Sequence, residues 1–184
     1  MSRWTIDKFW CGEYGHRVWS QQLNESFCAE GDTKTACRHL HGHSGKAHIY
    51  LEGETLERGM VTDFKHVGAI FDFLDEIVDH KFIIDRNDPI YPHLVGESTK
   101  LLPLQMPGTD FVAGYEVDMP SFRSGNPAIY EMFEGLTVVD FVPTSENLCK
   151  WVFEIATAKM SQLGVKVVRV DWHETMKSRA SYSV

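Results

Sequence analysis

Cys37, His41 and His43 are the residues whose types and spacing can do chemistry together in this chain. In an extended segment His41 and His43 project to the same face, because strand side chains alternate with period two. Gly42 between them adds no side chain to crowd that place. Carrying the alternation forward puts Ala47, Ile49 and Leu51 in phase with the two imidazoles. The pair then points toward the apolar side, where bare imidazoles are poorly satisfied. A metal would satisfy them; the plainer reading is two polar residues at a strand edge. A catalytic zinc site takes three protein ligands and keeps one position open. The chain has nine histidines. His39 shares the parity of the pair but lies where the chain is still turning, and His48 falls on the opposite phase. Spacing does not choose among His16, His66, His80, His93 and His173.

Cys37 has two readings. As a fourth ligand it would close a structural site. Held off the metal it would be a base or nucleophile, because a thiol near a dication loses its proton more easily. Two further places carry chemistry. Asp79-His80 ends a predicted helix, where the macrodipole and the acidic neighbour both favour a charged imidazole and the acid can orient its ring. Adjacent residues do not face each other on a helix, so the chain must bend for both to reach one site. Glu174 continues the face of Val168, Val170 and Trp172 along a predicted strand over 165–175. A carboxylate on an apolar face needs a partner. It is either a strand end reaching solvent or an acceptor awaiting paired N–H donors.

The elements that must position these groups follow from pattern. Residues 46–54 alternate as a strand. Thr62 or Asp63 caps a helix that runs to about Asp79, with Phe64, Val67, Ile70, Phe71, Leu74, Ile77 and Val78 as its apolar stripe. Pro143-Thr144-Ser145-Glu146-Asn147 starts a second helix with Leu148, Trp151, Val152 and Ile155 inward, and Gly164 ends it. All seven prolines lie between Pro89 and Pro143. The pattern therefore predicts an irregular excursion over about 85–142, with some structure of its own and a strand at Leu136–Val142. Strands, helix, excursion, helix, strands is the order of an α+β layer.

The chain has 184 residues, 43% of them hydrophobic, enough for one domain with a sizeable core. No apolar run approaches the about 18 residues of a membrane span, and Met1–Trp10 does not read as a signal peptide. A net charge of −8 argues against a general nucleic-acid binder. Cys11, Cys28, Cys37 and Cys149 form no paired motif, so a reduced, cytoplasmic setting is expected.

Taken in order, Gly15-His16-Arg17-Val18, the cysteine and histidines of 37–43, Gly59-Met60-Val61-Thr62-Asp63-Phe64, Asp79-His80, Pro143-Thr144-Ser145-Glu146-Asn147 and Glu174-Thr175 resemble the motifs of the 6-pyruvoyl-tetrahydropterin and 6-carboxytetrahydropterin synthase family. The match is collinear over nearly the whole chain. The resemblance implies a T-fold, two helices on one face of an antiparallel sheet, assembled into a homo-oligomer, commonly a hexamer with sites at subunit interfaces. It implies Zn2+ held by His16, His41 and His43, a catalytic Cys37, a proton relay through Asp79 and His80, and Glu174 as the anchor of the pterin ring. The substrate implied is 7,8-dihydroneopterin triphosphate, with no nucleic acid or membrane partner. The three-residue gap between Cys37 and His41 resembles the branch that forms 6-carboxytetrahydropterin and acetaldehyde for queuosine and related deazapurines. The alternatives are the pyruvoyl product of the biopterin branch, an aldolase-like reaction on the same fold, and a zinc-stabilised binding module without turnover. The excursion over 85–142 stands where the family usually has a short connection. Arg17, Lys46, Lys81 and Lys177 are possible triphosphate contacts that no spacing singles out.

Overall fold

The computed structural model describes residues 3–24, 26, 35–96, 98–119 and 127–184. One eight-stranded sheet organises them. Its strands are β1 (Trp4–His16), β2 (His41–Gly53), β3 (Lys81–Asp85), β4 (Leu101–Gln105), β5 (Val112–Val117), β6 (Leu136–Val139), β7 (Lys166–His173) and β8 (Arg179–Ser183). They lie in the order β4-β5-β6-β3-β1-β2-β7-β8. Most joins are antiparallel, but β3 runs parallel to both β1 and β6. The helices are α1 (Phe64–Ile77), α2 (Tyr91–Leu94), α3 (Pro127–Glu134) and α4 (Ser145–Met160).

The long pair β1–β2 is the frame of the site. It stays in register from Trp4 opposite Gly53 to His16 opposite His41. On one face Trp10, Tyr14, Ala47, Ile49 and Leu51 are buried against α1 and α4, and alternate residues point the other way. The predicted phase of β2 therefore holds. On β7 it shifts: a bulge opposite Tyr50 and Leu51 turns Val167 inward in place of Val168, while Val170 and Trp172 keep their places.

Asp63 caps α1 by accepting from the Lys65 N–H at 2.8 Å. The helix ends at Ile77, two residues short of the expected stop, and Phe73 is buried where Phe64 was expected inward; Phe64 is 48% exposed. Thr144 caps α4 through the Asn147 N–H at 3.3 Å, and Gly164 leaves the helical region with φ 66°.

Among its described residues the excursion is more regular than the proline count suggests. It supplies β4 and β5, which with β6 extend the sheet, and it has its own small core of Ile84, Tyr91, Val95, Val117, Phe133, Leu136 and Val138. Three of its prolines sit where a missing N–H costs little. Pro92 and Pro127 occupy first turns of helices, and Pro103 lies on β4, the sheet edge. A high proline count thus marked element ends and an edge strand rather than loss of structure.

Candidate metal and catalytic site

The β1–β2 register selects the third histidine that spacing left open. His16 closes β1 directly opposite His41, and Tyr14 lies opposite His43. Directly opposed residues share a face and come within contact distance. One ring nitrogen from each of His16, His41 and His43 lies within 4.8 Å of the other two. Gly42 is needed for a reason the sequence did not show: a Cβ there would stand 2.8 Å from the Tyr14 carbonyl oxygen across the pair.

Backbone carbonyls orient the rings. His16 Nδ1 donates to the Pro143 oxygen at 2.6 Å, and His41 Nδ1 to the His39 oxygen at 2.8 Å. A carbonyl only accepts, so the hydrogen sits on Nδ1 and Nε2 keeps its lone pair. The Pro143 segment before α4 thereby serves the site, a role its helix-start pattern did not disclose. His16 Nε2 is buried with no hydrogen-bond partner. Burial pushes the His16 pKa down to about 4, opposed by the Pro143 carbonyl and helped by His41 and His43. Burial also lowers that of His43, with Glu174 pulling it up and His41 pushing it down. An orphaned, neutral imidazole nitrogen beside two others fits a divalent metal. These three residues could hold one.

Glu174 is brought to the same place. Its Oε1 lies 3.6 Å from His16 Nε2 and 3.7 Å from His43 Nε2. Both distances exceed a hydrogen bond, so the carboxylate stands at the mouth of the cluster with capacity for a ligand. Beneath it Tyr14 is buried and accepts from Trp172 Nε1 at 3.3 Å. Burial raises the Tyr14 pKa well above the ordinary phenol value, so the ring is a neutral wall of the site. Its place, two residues before His16 on the same face, was the available signal.

The expected bend between Asp79 and His80 is present. His80 takes a left-handed φ of 56°, uncommon outside glycine and asparagine-like residues. This turns its ring back so that Nδ1 donates to Asp79 Oδ2 at 2.9 Å. Asp79 Oδ1 accepts from the Glu13 N–H at 2.8 Å. That bond is the main cause holding the carboxyl below its usual range, against desolvation and with help from His80. His80 shares an open recess of about 550 Å³ with Glu13, His41, His43, Lys81 and Phe82.

Cys37 lies on a single 3-10 turn, Ala36–Arg38, four residues before His41. Among the described residues its sulfur is not one of the grouped ligand atoms. Of the four suggested cations, Arg17 meets Asp88 and Lys81 Nζ donates to the Glu134 carbonyl at 2.7 Å. Lys46 lies over the Phe9 ring on the far face of the sheet. Cys28 falls outside the described residues.

A sheet carrying two covering helices on one face and three converging histidines at the end of its longest strand pair defines a T-fold protein with a three-histidine site. Comparison with known proteins narrows this. Residues 9–184 match the family model described as 6-pyruvoyl tetrahydropterin synthase. The chain is 33% identical to the 6-carboxy-5,6,7,8-tetrahydropterin synthase of Aquifex aeolicus over 188 residues, covering 98% of both chains. It is 41% identical to an uncharacterized protein of Wolinella succinogenes whose structure covers 100% of this chain and 99% of that one, with a TM-score of 0.89. The Caenorhabditis elegans 6-pyruvoyl tetrahydropterin synthase shares the fold at 21% identity and a TM-score of 0.57, covering 100% and 97%. The chain belongs to the 6-pyruvoyl tetrahydropterin synthase family.

Proposed function

We propose that this protein is a zinc-dependent 6-carboxy-5,6,7,8-tetrahydropterin synthase. It converts 7,8-dihydroneopterin triphosphate and water to 6-carboxytetrahydropterin, acetaldehyde and triphosphate, the step that feeds 7-deazapurine synthesis such as that of queuosine. The observation that carries the reading is the end-to-end similarity to the Aquifex synthase, joined to three histidines that converge beside the Glu174 carboxylate.

Zn2+ on His16, His41 and His43 would act as a Lewis acid on the substrate's side-chain oxygens. The residues of the chain do the rest. Glu174 accepts the adjacent N–H groups of the pterin ring, a two-bond contact that a carboxylate makes well. This sets the ring beside the histidines, because Glu174 already stands 3.6 Å from His16 Nε2. Cys37 takes a proton from the side-chain carbon next to the ring. His80, held through Nδ1 by Asp79, delivers and receives protons at Nε2. Its side chain is 80% exposed, and a relay group works best shielded from water. This favours a homo-oligomer, a hexamer in the family, in which a second copy covers the recess.

Two rivals remain distinct in outcome. The pyruvoyl product leaves without carbon–carbon cleavage. A closed structural zinc site needs Cys37 as fourth ligand, and its sulfur stands outside the cluster. The test is a mass-spectrometric product assay on zinc-loaded protein. 6-Carboxytetrahydropterin with acetaldehyde is expected. 6-Pyruvoyltetrahydropterin without acetaldehyde would refute the assignment, and so would no turnover by fully loaded protein.

A further inference from the structure

Cys37 has little of its own to hold it. Its 3-10 turn is three residues long, and Thr35 before it gives no side-chain cap. Yet both of its peptide groups are fixed, and from the same distant segment. The Val18 N–H donates to the Cys37 carbonyl at 2.6 Å, and the Cys37 N–H donates to Gln21 Oε1 at 3.0 Å. Next to it, Arg38 Nε donates to the Trp19 carbonyl at 2.9 Å. The cysteine therefore goes where residues 17–21 go.

Those residues are in turn gripped by the turn that opens the excursion. Asp85, at the end of β3, and Asp88 are each 2% exposed. Each spends one oxygen on its own turn. Asp85 Oδ1 accepts from the Asn87 N–H at 2.9 Å and from Asn87 Nδ2 at 3.0 Å, and Asp88 Oδ1 accepts from the Ile90 N–H at 2.9 Å. Each turns its other oxygen back across the sheet. Asp85 Oδ2 accepts from Trp19 Nε1 at 2.9 Å, and Asp88 Oδ2 lies 3.1 Å from Arg17 Nε as an ion pair without an aligned hydrogen bond. Arg17 directly follows His16, so the clamp also starts at a histidine of the cluster. Two buried carboxylates aimed at one short segment cost desolvation that a simple chain crossing does not require.

We propose that Asp85 and Asp88 are positioning residues for Cys37. Through Trp19 and Arg17 they lock the 17–21 segment, and that segment holds the thiol at its working distance from the three histidines. The inference rests on the reading of Cys37 as the proton-abstracting group. A proton transfer tolerates little displacement: about 1 Å of misplacement costs about 10²-fold in rate. The excursion thereby contributes to catalysis without touching substrate.

Trp19→Phe removes the indole N–H together with part of the ring's volume, and Asp85→Asn keeps the volume but replaces one carboxylate oxygen with an NH2 that cannot accept. Both variants and the double would be compared with the parent as zinc-loaded full chain. Cys37 alkylation by iodoacetamide is read peptide by peptide, which separates it from the exposed Cys11 and requires no turnover. Each single variant should alkylate Cys37 severalfold faster, lower kcat by up to about 10²-fold, and leave KM and bound zinc unchanged. The double should be no worse than the worse single, since the two groups act as one link. Gln21→Ala, which deletes the acceptor of the Cys37 N–H, should behave alike, and Gln21→Glu should restore the parent behaviour. Unchanged Cys37 alkylation in folded Trp19→Phe and Gln21→Ala proteins would overturn the proposal, as would additive effects in the double variant. A parent protein that does not turn over defeats the reading of function alone; the alkylation rates still decide the clamp.

Discussion

Replacing Glu174 with glutamine separates the two things a carboxylate beside three imidazoles can do. The side chain reaches the mouth of the cluster at 3.6 Å from His16 Nε2 and 3.7 Å from His43 Nε2, too far to be spent on either. If it anchors the pterin, it accepts two N–H groups of the ring. Glutamine keeps one acceptor and presents an NH2 where the second N–H donor arrives. The loss is one hydrogen bond to a charged group, about 1.5–3 kcal/mol. At 1.4 kcal/mol per tenfold, pterin affinity falls about 10- to 150-fold. Bound metal should be unchanged, because Glu174 is not among the grouped ligand atoms. Glu174 also pulls the His43 pKa upward, so its removal favours the neutral, ligating form. Fluorescence titration with neopterin gives the affinity, and atomic emission gives metal per chain. Affinity within about twofold of the parent, with metal intact, refutes the anchoring role. Loss of stoichiometric metal refutes the argument in the other direction and makes Glu174 a ligand.

Three further outcomes test the remaining parts. Cys37→Ala should retain one metal per chain, since the sulfur stands outside the cluster, and lose turnover by about 10²–10⁴-fold, the range for one general base; loss of metal would restore the closed-site reading. His41→Ala removes one of three converging nitrogens and should abolish both metal binding and activity, so full activity without metal would remove the Lewis-acid role. Away from the site, burial pushes the Asp171 carboxyl up, but hydrogen bonds from Arg169, Ser181 and Tyr50 outweigh it and leave its pKa below the ordinary 3.8. A depressed folded value means the unfolded chain takes up the proton first. The stabilisation is then complete well above 3.8 and is lost as pH falls below it. Asp171→Asn should cost about 2 kcal/mol at neutral pH and flatten the acid limb of urea midpoints; an unaltered acid limb would count against this sign.

How much of this was legible without a structure follows from the range of the interactions. Period two along 41–51 fixed which way His41 and His43 point, and that direction survives because the same face is buried from Gly45 to Leu51, with the two histidines half-buried at its end. The caps at Asp63 and Thr144 were readable because each bonds to an N–H within three residues. What failed was set by partners far along the chain. The choice of His16 depends on a register running the length of two strands, and the turn of Val167 inward depends on a bulge against Tyr50 and Leu51. Neither leaves a local pattern. Family resemblance supplied His16 where spacing could not, because motifs in order carry the outcome of a fold without its geometry. It did not supply the Pro143 and His39 carbonyls, which any residue type offers.

The prolines of the excursion mislead for an instructive reason. Proline forbids a ladder donor, so a proline-rich stretch is excluded from a sheet interior but not from its edge. The described residues of 85–142 build an edge, two first turns and a small core. That core fixes β3 and the turn after it, where Asp85 and Asp88 sit. A floppy connection there could not hold two buried carboxylates against Trp19 and Arg17. If Asp85 and Asp88 position Cys37 as proposed, the order of the excursion and the placement of that thiol are one problem, joined through Trp19 and Arg17.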